Sequence, residues 1–236
     1  MKLRCFSIQG TLGDTYITVC KLYQLYQLSQ SNNEKIKVYH YTEQEYWHQE
    51  IKDIYSLLPN IEVELVTELK DEVPVLIPMP KLDQMEFFPK FDKIDSELDC
   101  SKYNNYLLIQ VNSGKPKNAA LSKNGTKNTK ILNNEIIQKI INENKNSFTC
   151  VLIGTEECQE FDNCINLINK TSIKDVIHLT QNCSSFIGPE GLLVFVALSN
   201  KKHTMIPMTP THLEAIYHRI IDTPWEDYCK LIRSNF

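Results

Sequence analysis

Short β-branched runs alternate along this chain with longer stretches of helical periodicity, and that pattern limits the fold to layered α/β architectures. "KLRCFSIQ" reads as a strand, and residues 15–29, "TYITVCKLYQLYQLS", repeat apolar side chains at the three- and four-residue spacing of a helix lying on a sheet. "KIKVYHYT" (35–42) predicts a second strand, "EQEYWHQEIKDIYSLL" (43–58) a second helix, "IEVELVTE" (61–68) a third strand and "VPVLIPMP" (73–80) a fourth. Between Lys81 and Tyr103 the pattern decays into an acidic, weakly periodic stretch that suits a linker. It then restarts, with strands expected at 105–112, 147–155, 164–169, 184–188 and 203–208 and helices at 133–144, 172–182 and 192–200. Two further helices are expected at the end, "PTHLEAIYHRII" and "TPWEDYCKLIRSNF", the second opened by Thr223 as N-cap and Pro224 in the first turn. Two α/β halves in tandem fit this order better than one sheet. We expect an N-terminal domain over 1–102, a second domain over 103–210, and C-terminal helices over 211–236 that cross back to the first domain.

Ligands of such folds bind at the carboxyl ends of the strands, so the loops there are the places to seek function. Three stand out. In Gly10-Thr11-Leu12-Gly13-Asp14, glycines let the backbone turn and approach a ligand, and an acid at the helix start gains from the dipole and from free amide groups. The same residues would serve a plain N-cap. They do not form the G-x-G-x-x-G dinucleotide fingerprint, which counts against a dehydrogenase.

The second loop follows the strand at 105–112. From Ser101 to Asn134 there are six lysines and no Asp or Glu, although acids outnumber bases over the whole chain. Cations and free backbone amides after a strand suit a polyanion such as a diphosphate, while a solvated surface loop would have the same composition. The third is "SSFIGPEGLLVFVALSN", in which a strand ends at Gly188, Glu190 stands at the mouth of a helix, and Gly191 permits close approach. Glu190 there could accept hydrogen bonds from sugar hydroxyls or merely cap the helix.

The remaining composition narrows the classes. A net charge of −4, and no aromatic residue between Tyr106 and Phe148 to stack bases beside the lysines, argue against a nucleic-acid partner. Eight cysteines occur without a C-x-x-C pair, several in apolar runs, which reads as reduced thiols of a cytoplasmic protein. No metal spacing appears among the six histidines, which are expected on the surface or in helix packing. The aromatic run over 39–55 suits a packed helix better than a sugar-stacking pocket. No apolar run approaches a membrane span, and peripheral contact with a membrane stays open.

Taken in order, "GTLGDTYITVCKL" and "INKTSIKDVIHLTQNCSSFIGPEGLLVFVALSNKKHTMI" resemble the two motif regions of the ADP-heptose:lipopolysaccharide heptosyltransferase family of GT-B glycosyltransferases. The resemblance spans most of the chain and implies two Rossmann-like domains in tandem. It also implies an inverting transfer of a sugar from a nucleoside-diphosphate donor to a hydroxyl of a glycan or other acceptor. Asp14 matches the family's general base, with Thr11 and Gly13 in the same motif beside the substrate. Ser113 and Gly114 match small residues beside the donor phosphates. Lys130 falls where the family has a lysine ahead of Trp-Pro-x-Glu, here Leu132-Asn133-Asn134-Glu135, and Lys127 competes for that role. Gly188, Glu190 and Gly191 stand in the donor loop, and Glu156 or Glu157 at the acidic position near the nucleoside. The family's residues after the acidic turn are replaced by "GLLVFV" and the chain is shorter than usual members, which leaves the identity of the donor open, while the short acceptor half argues against a lipopolysaccharide-core acceptor.

This chemistry agrees with the residues. Negative charge builds on the departing diphosphate, and a cationic loop with helix N-termini would stabilise it. With no D-x-D pair in the chain, no metal cofactor is expected. A single base suffices for inversion with so good a leaving group, which would account for a lone aspartate at the first turn. A non-catalytic nucleotide-sugar-binding module, in which Asp14 is only a cap, is the alternative.

Overall fold

A computed structural model of the chain describes residues 3–31, 35–59, 61–70, 72–76, 89–91, 94–113, 130–155, 160–208, 220 and 225–233. The fold is mixed α/β with parallel sheets, and the chain divides into two compact units, Met1–Ile94 and Asp95–Phe236.

In the first unit, β1 (Leu3–Gln9), β2 (Lys35–Tyr41) and β3 (Ile61–Val66) form a parallel sheet in that order. β2 alternates strictly. Ile36, Val38 and His40 are buried while the residues between them are not, which is the period-two signature of a strand packed on one face. The opposite face carries Lys37, whose Nζ lies 2.8 Å from Glu64 and 3.8 Å from Glu62 on β3. α1 (Leu12–Ser31) packs on the sheet through buried Tyr16, Ile17, Val19, Cys20 and Leu22, and α2 (His48–Tyr55) buries Ile51, Ile54 and Tyr55. Trp47, in the 3₁₀ turn before α2, is buried as well, so Trp47 and Tyr55 of this aromatic run are core while Tyr39, Tyr41 and Tyr46 are half-buried.

The fourth strand expected over 73–80 is an isolated parallel bridge between Val75 and Ser7, and residues 77–80 lie outside the described residues. Ser7 N–H donates to Pro74 O (2.9 Å) and Leu76 N–H to Ser7 O (2.8 Å). Because one strand residue's N–H and C=O point the same way, this bridge lies on the side of β1 away from β2. The chain thus leaves β1 in one direction and returns to its other side, making the carboxyl end of β1 a topological switch point.

The second unit holds a six-stranded parallel sheet. β4 (Tyr106–Gln110) is central, with β7 (Thr149–Ile153) and β8 (Cys164–Asn166) on one side. β9 (Ser185–Ile187), β10 (His203–Met208) and β11 (Cys229–Arg233) lie on the other. β5 (Asn112–Ser113) and β6 (Lys130–Ile131) form a separate antiparallel pair. β4 is buried on both faces from Tyr106 to Ile109, as a central strand with helices on each side must be. Leu107, Ile109, Cys150, Leu152 and Ile187 form a core with Ile137 and Ile141 of α3 (Asn134–Asn144). α4 (Ile173–Asn182) starts in a full capping box of Ser172 and Asp175. α5 (Leu192–Ser199) is apolar almost throughout and buried. Residues before β4 join this unit: Ser96 Oγ donates to Asp175 Oδ1 at 2.7 Å.

One expectation fails. The segment 223–236, read as a helix, forms a 3₁₀ turn at Glu226–Tyr228 and then β11, paired in parallel with β10 from Thr204↔Cys229 to Met208↔Arg233. Thr-Pro is a local start signal, and the ladder offered by the exposed edge of β10 outweighs it. The other expected C-terminal helix lies largely outside the described residues.

Candidate functional site

The first-turn residues occupy the switch point of the first unit. Thr11 O accepts the opening bond of α1 from Thr15 N–H (2.9 Å), which makes Thr11 the cap and Asp14 the third residue of the helix. The half-buried Asp14 is therefore not the N-cap. It supplies the acid half of a capping box, with Oδ2 accepting from Thr11 N–H at 2.8 Å and from Thr11 Oγ1 at 3.2 Å. Among the described residues its Oδ1 takes no hydrogen bond. Gly10 has no room for a side chain, because a Cβ there would stand 2.3 Å from Asp14 Cβ and 2.8 Å from Oδ2. Gly13 lies in the first turn of α1 beside the acid.

Sequence reasoning passed over a residue beneath this turn. His40 is fully buried, with Nε2 3.2 Å from Gly10 O and Nδ1 3.0 Å from Tyr55 Oη, and its ring meets that of Tyr55 edge-on at 5.7 Å. Burial pushes the imidazole down to about 4, so it is neutral near pH 7. A carbonyl only accepts, so Nε2 carries the proton; Nδ1 then accepts from Tyr55 O–H, which burial holds protonated. The signal was available, since His40 continues the buried alternation of Ile36 and Val38.

In the second unit the chain runs from β4 toward β7 and β8 on one side and from β9 toward β10 and β11 on the other. The carboxyl ends of β4 and β9 thus form its switch point. Gly188 ends β9 so close to β4 that a Cβ on it would stand 2.8 Å from Gln110 Cβ and 2.7 Å from the Phe186 ring. Gly191, not Glu190, occupies the N-cap of α5, and as a glycine it places no side chain over the amides of the first turn. Glu190 is half-buried just before it.

Gln110, absent from the sequence expectations, lies between these loops. Its Nε2 donates to Asn112 O at 3.0 Å, which carries the amide beyond the end of β4, and its buried Oε1 has no partner among the described residues. Asn112 ties this loop to the one after β7, donating from Nδ2 to Thr155 Oγ1 (2.9 Å) and accepting at Oδ1 from Thr155 N–H (3.0 Å).

The lysine-rich segment is anchored at both ends. Ser113 pairs directly with Lys130 in the antiparallel ladder, and Leu132 N–H donates to Val111 O at 2.8 Å. The structure therefore brings together the backbones of two expected donor residues. Gly114, Lys127, Glu156 and Glu157 lie outside the described residues. Among the described residues no group of three or more His, Cys, Asp or Glu is placed to hold a metal ion, and no helix is long and apolar enough to cross a membrane. The seven described cysteines are free, and burial pushes the thiols of Cys183 and Cys229 up to about 12.

No protein-family model and no curated sequence matches the chain. Solved structures do. The iron-containing dodecameric glycosyltransferase TibC of enterotoxigenic E. coli matches 100% of this chain and 64% of its own, at 13% identity and a TM-score of 0.52. The chain therefore spans less than two thirds of that protein. A family 9 glycosyl transferase from Veillonella parvula matches 99% of this chain and 87% of its own, at 9% identity and a TM-score of 0.56. The E. coli heptosyltransferase WaaC, solved with ADP, matches 98% and 93%, at 10% identity and a TM-score of 0.51. These likenesses bear out, at the level of fold, the resemblance carried by the first-turn and C-terminal motifs: the chain has the fold of heptosyltransferase-like glycosyltransferases.

Proposed function

We propose that the protein is an inverting, metal-independent glycosyltransferase of the cytoplasm that moves a sugar from a nucleoside-diphosphate donor to a hydroxyl of a glycan or other acceptor. Asp14 is the general base. The observation that carries this reading is the state of its carboxylate, fixed through Oδ2 by two donors of Thr11 while Oδ1 keeps its lone pairs, at the switch point of a parallel sheet. In the second unit the first-turn amides of α5, the Gly188–Gly191 turn, Ser113, Gly114 and a lysine of the following loop, Lys130 or Lys127, take the donor diphosphate, and Glu157 lies near the nucleoside. Support comes from the likeness in fold to glycosyltransferases, one of them solved with ADP.

The test has two parts. Calorimetric titration with nucleoside diphosphates and ADP-heptose should detect donor binding, which also raises thermal stability by about 2.7 kcal/mol at a hundredfold excess over Kd. Asp14→Asn should then keep that affinity and lose turnover by roughly 10²- to 10⁴-fold, the usual range for removing a general base. The capping geometry of Asp14 favours a second reading, a nucleotide-sugar-binding module without catalysis. Unchanged turnover in Asp14→Asn would mean another base, whereas donor binding with no turnover in the wild-type chain would leave the second reading.

A further inference from the structure

Two of the hydrogen bonds around the first turn meet on a single peptide group. Gly10 C=O and Thr11 N–H belong to the same planar amide. The carbonyl accepts from His40 Nε2 at 3.2 Å, and the N–H donates to Asp14 Oδ2 at 2.8 Å. On the far side, Tyr55 Oη lies 3.0 Å from His40 Nδ1. We propose that His40 and Tyr55 are positioning residues for the base, through a chain in which Tyr55 O–H donates to His40 Nδ1, His40 Nε2–H to Gly10 O, and Thr11 N–H to Asp14 Oδ2. The inference rests on reading Asp14 as that base.

Every donor in this chain points the same way. A hydrogen bond accepted by an amide carbonyl polarises the amide and strengthens what its N–H donates, so the links reinforce one another. The chain also fixes the plane of the Gly10–Thr11 peptide at both edges. Gly10 N–H donates to Tyr41 O at 3.2 Å, and the Asp14 side chain covers the Gly10 Cα, so the turn has no slack in which the carboxylate could swing. His40 and Tyr55 are 0% and 1% exposed, too deep to meet a bound molecule, which makes them supports of the base rather than participants in the reaction.

A phenylalanine at position 40 keeps a packed ring and removes both polar contacts, Tyr55→Phe removes only the last donor, and His40→Gln retains an N–H that can reach Gly10 O. In the full chain labelled with ¹⁵N, Tyr55→Phe and His40→Phe should move the Thr11 amide proton upfield, and His40→Gln should recover most of that shift. With ADP-heptose as donor, ADP release should fall about 10- to 100-fold in kcat for the two Phe variants, the cost of misplacing a reacting group. KM for ADP-heptose should not change, because the donor is held by the second unit. His40→Gln should restore kcat, whereas a packing role alone would lower thermal stability without this split. An unmoved Thr11 resonance, or an unchanged kcat beside a moved one, overturns the positioning role alone, provided that Asp14→Asn abolishes turnover. Turnover that survives Asp14→Asn overturns the reading of Asp14 as the base and this role with it, and a wild-type chain that binds ADP-heptose yet releases no ADP overturns both.

Discussion

At Gly10 the chain has space for a hydrogen atom and nothing larger. A methyl group there would drive the Asp14 side chain off its Thr11 donors. Gly10→Ala should therefore cost about 1–3 kcal/mol of stability, as overpacking of a tight site does, and chemical denaturation would measure it. His40 sets a pH limit. Its native value near 4 lies below the 6.5 of a free imidazole, so as pH falls below about 6.5 the unfolded chain takes up a proton that the native chain refuses. Stability is then full above pH 6.5 and declines toward pH 4, by up to about 3 kcal/mol from this one group. Denaturation midpoints at pH 7.5 and 4.5 should differ by less in His40→Phe. Both residues illustrate what a sequence conveys at this scale. Gly10 and Asp14 were legible because turn chemistry is local. The bonds of His40 to residues 10 and 55 were not, because they join three elements that only the fold brings together.

Among the elements, α4 has the most explicit local code. Ser172 and Asp175 satisfy each other's backbone N–H groups. Ser172→Ala should lower stability by about 1 kcal/mol. Asp175→Ala should cost more, since it also releases Ser96, whose 2.7 Å bond straps the start of the second unit to this helix. Thermal melts of the two variants would rank them. Most of the strands and helices were readable because each holds a run of one period, as in the alternation of β2 and the Ile137 and Ile141 stripe of α3. β11 was not. Its five residues, Cys229–Arg233, have no fixed preference of their own, and what makes them a strand is a partner more than twenty residues earlier. The same holds for Gln110, which the close approach of β9 to β4 at Gly188 places against the neighbouring strand.

For the whole molecule, the six-stranded sheet has an apolar core of its own, in which β4, β7 and β9 pack against Ile137 and Ile141 of α3. A fragment of residues 95–236 should thus fold alone and unfold in one cooperative urea transition followed by circular dichroism. A fragment that stays unfolded would mean that the core needs the first unit. In the second unit Ser113 and Lys130 face each other in a two-stranded ladder, so the two ends of the segment 114–129 lie side by side. When both ends of an excursion are tied together, doubling its length costs only about 0.6 kcal/mol of closure entropy. Evolution or an engineer could rewrite residues 114–129 in length and charge while β4 and β7 kept their register.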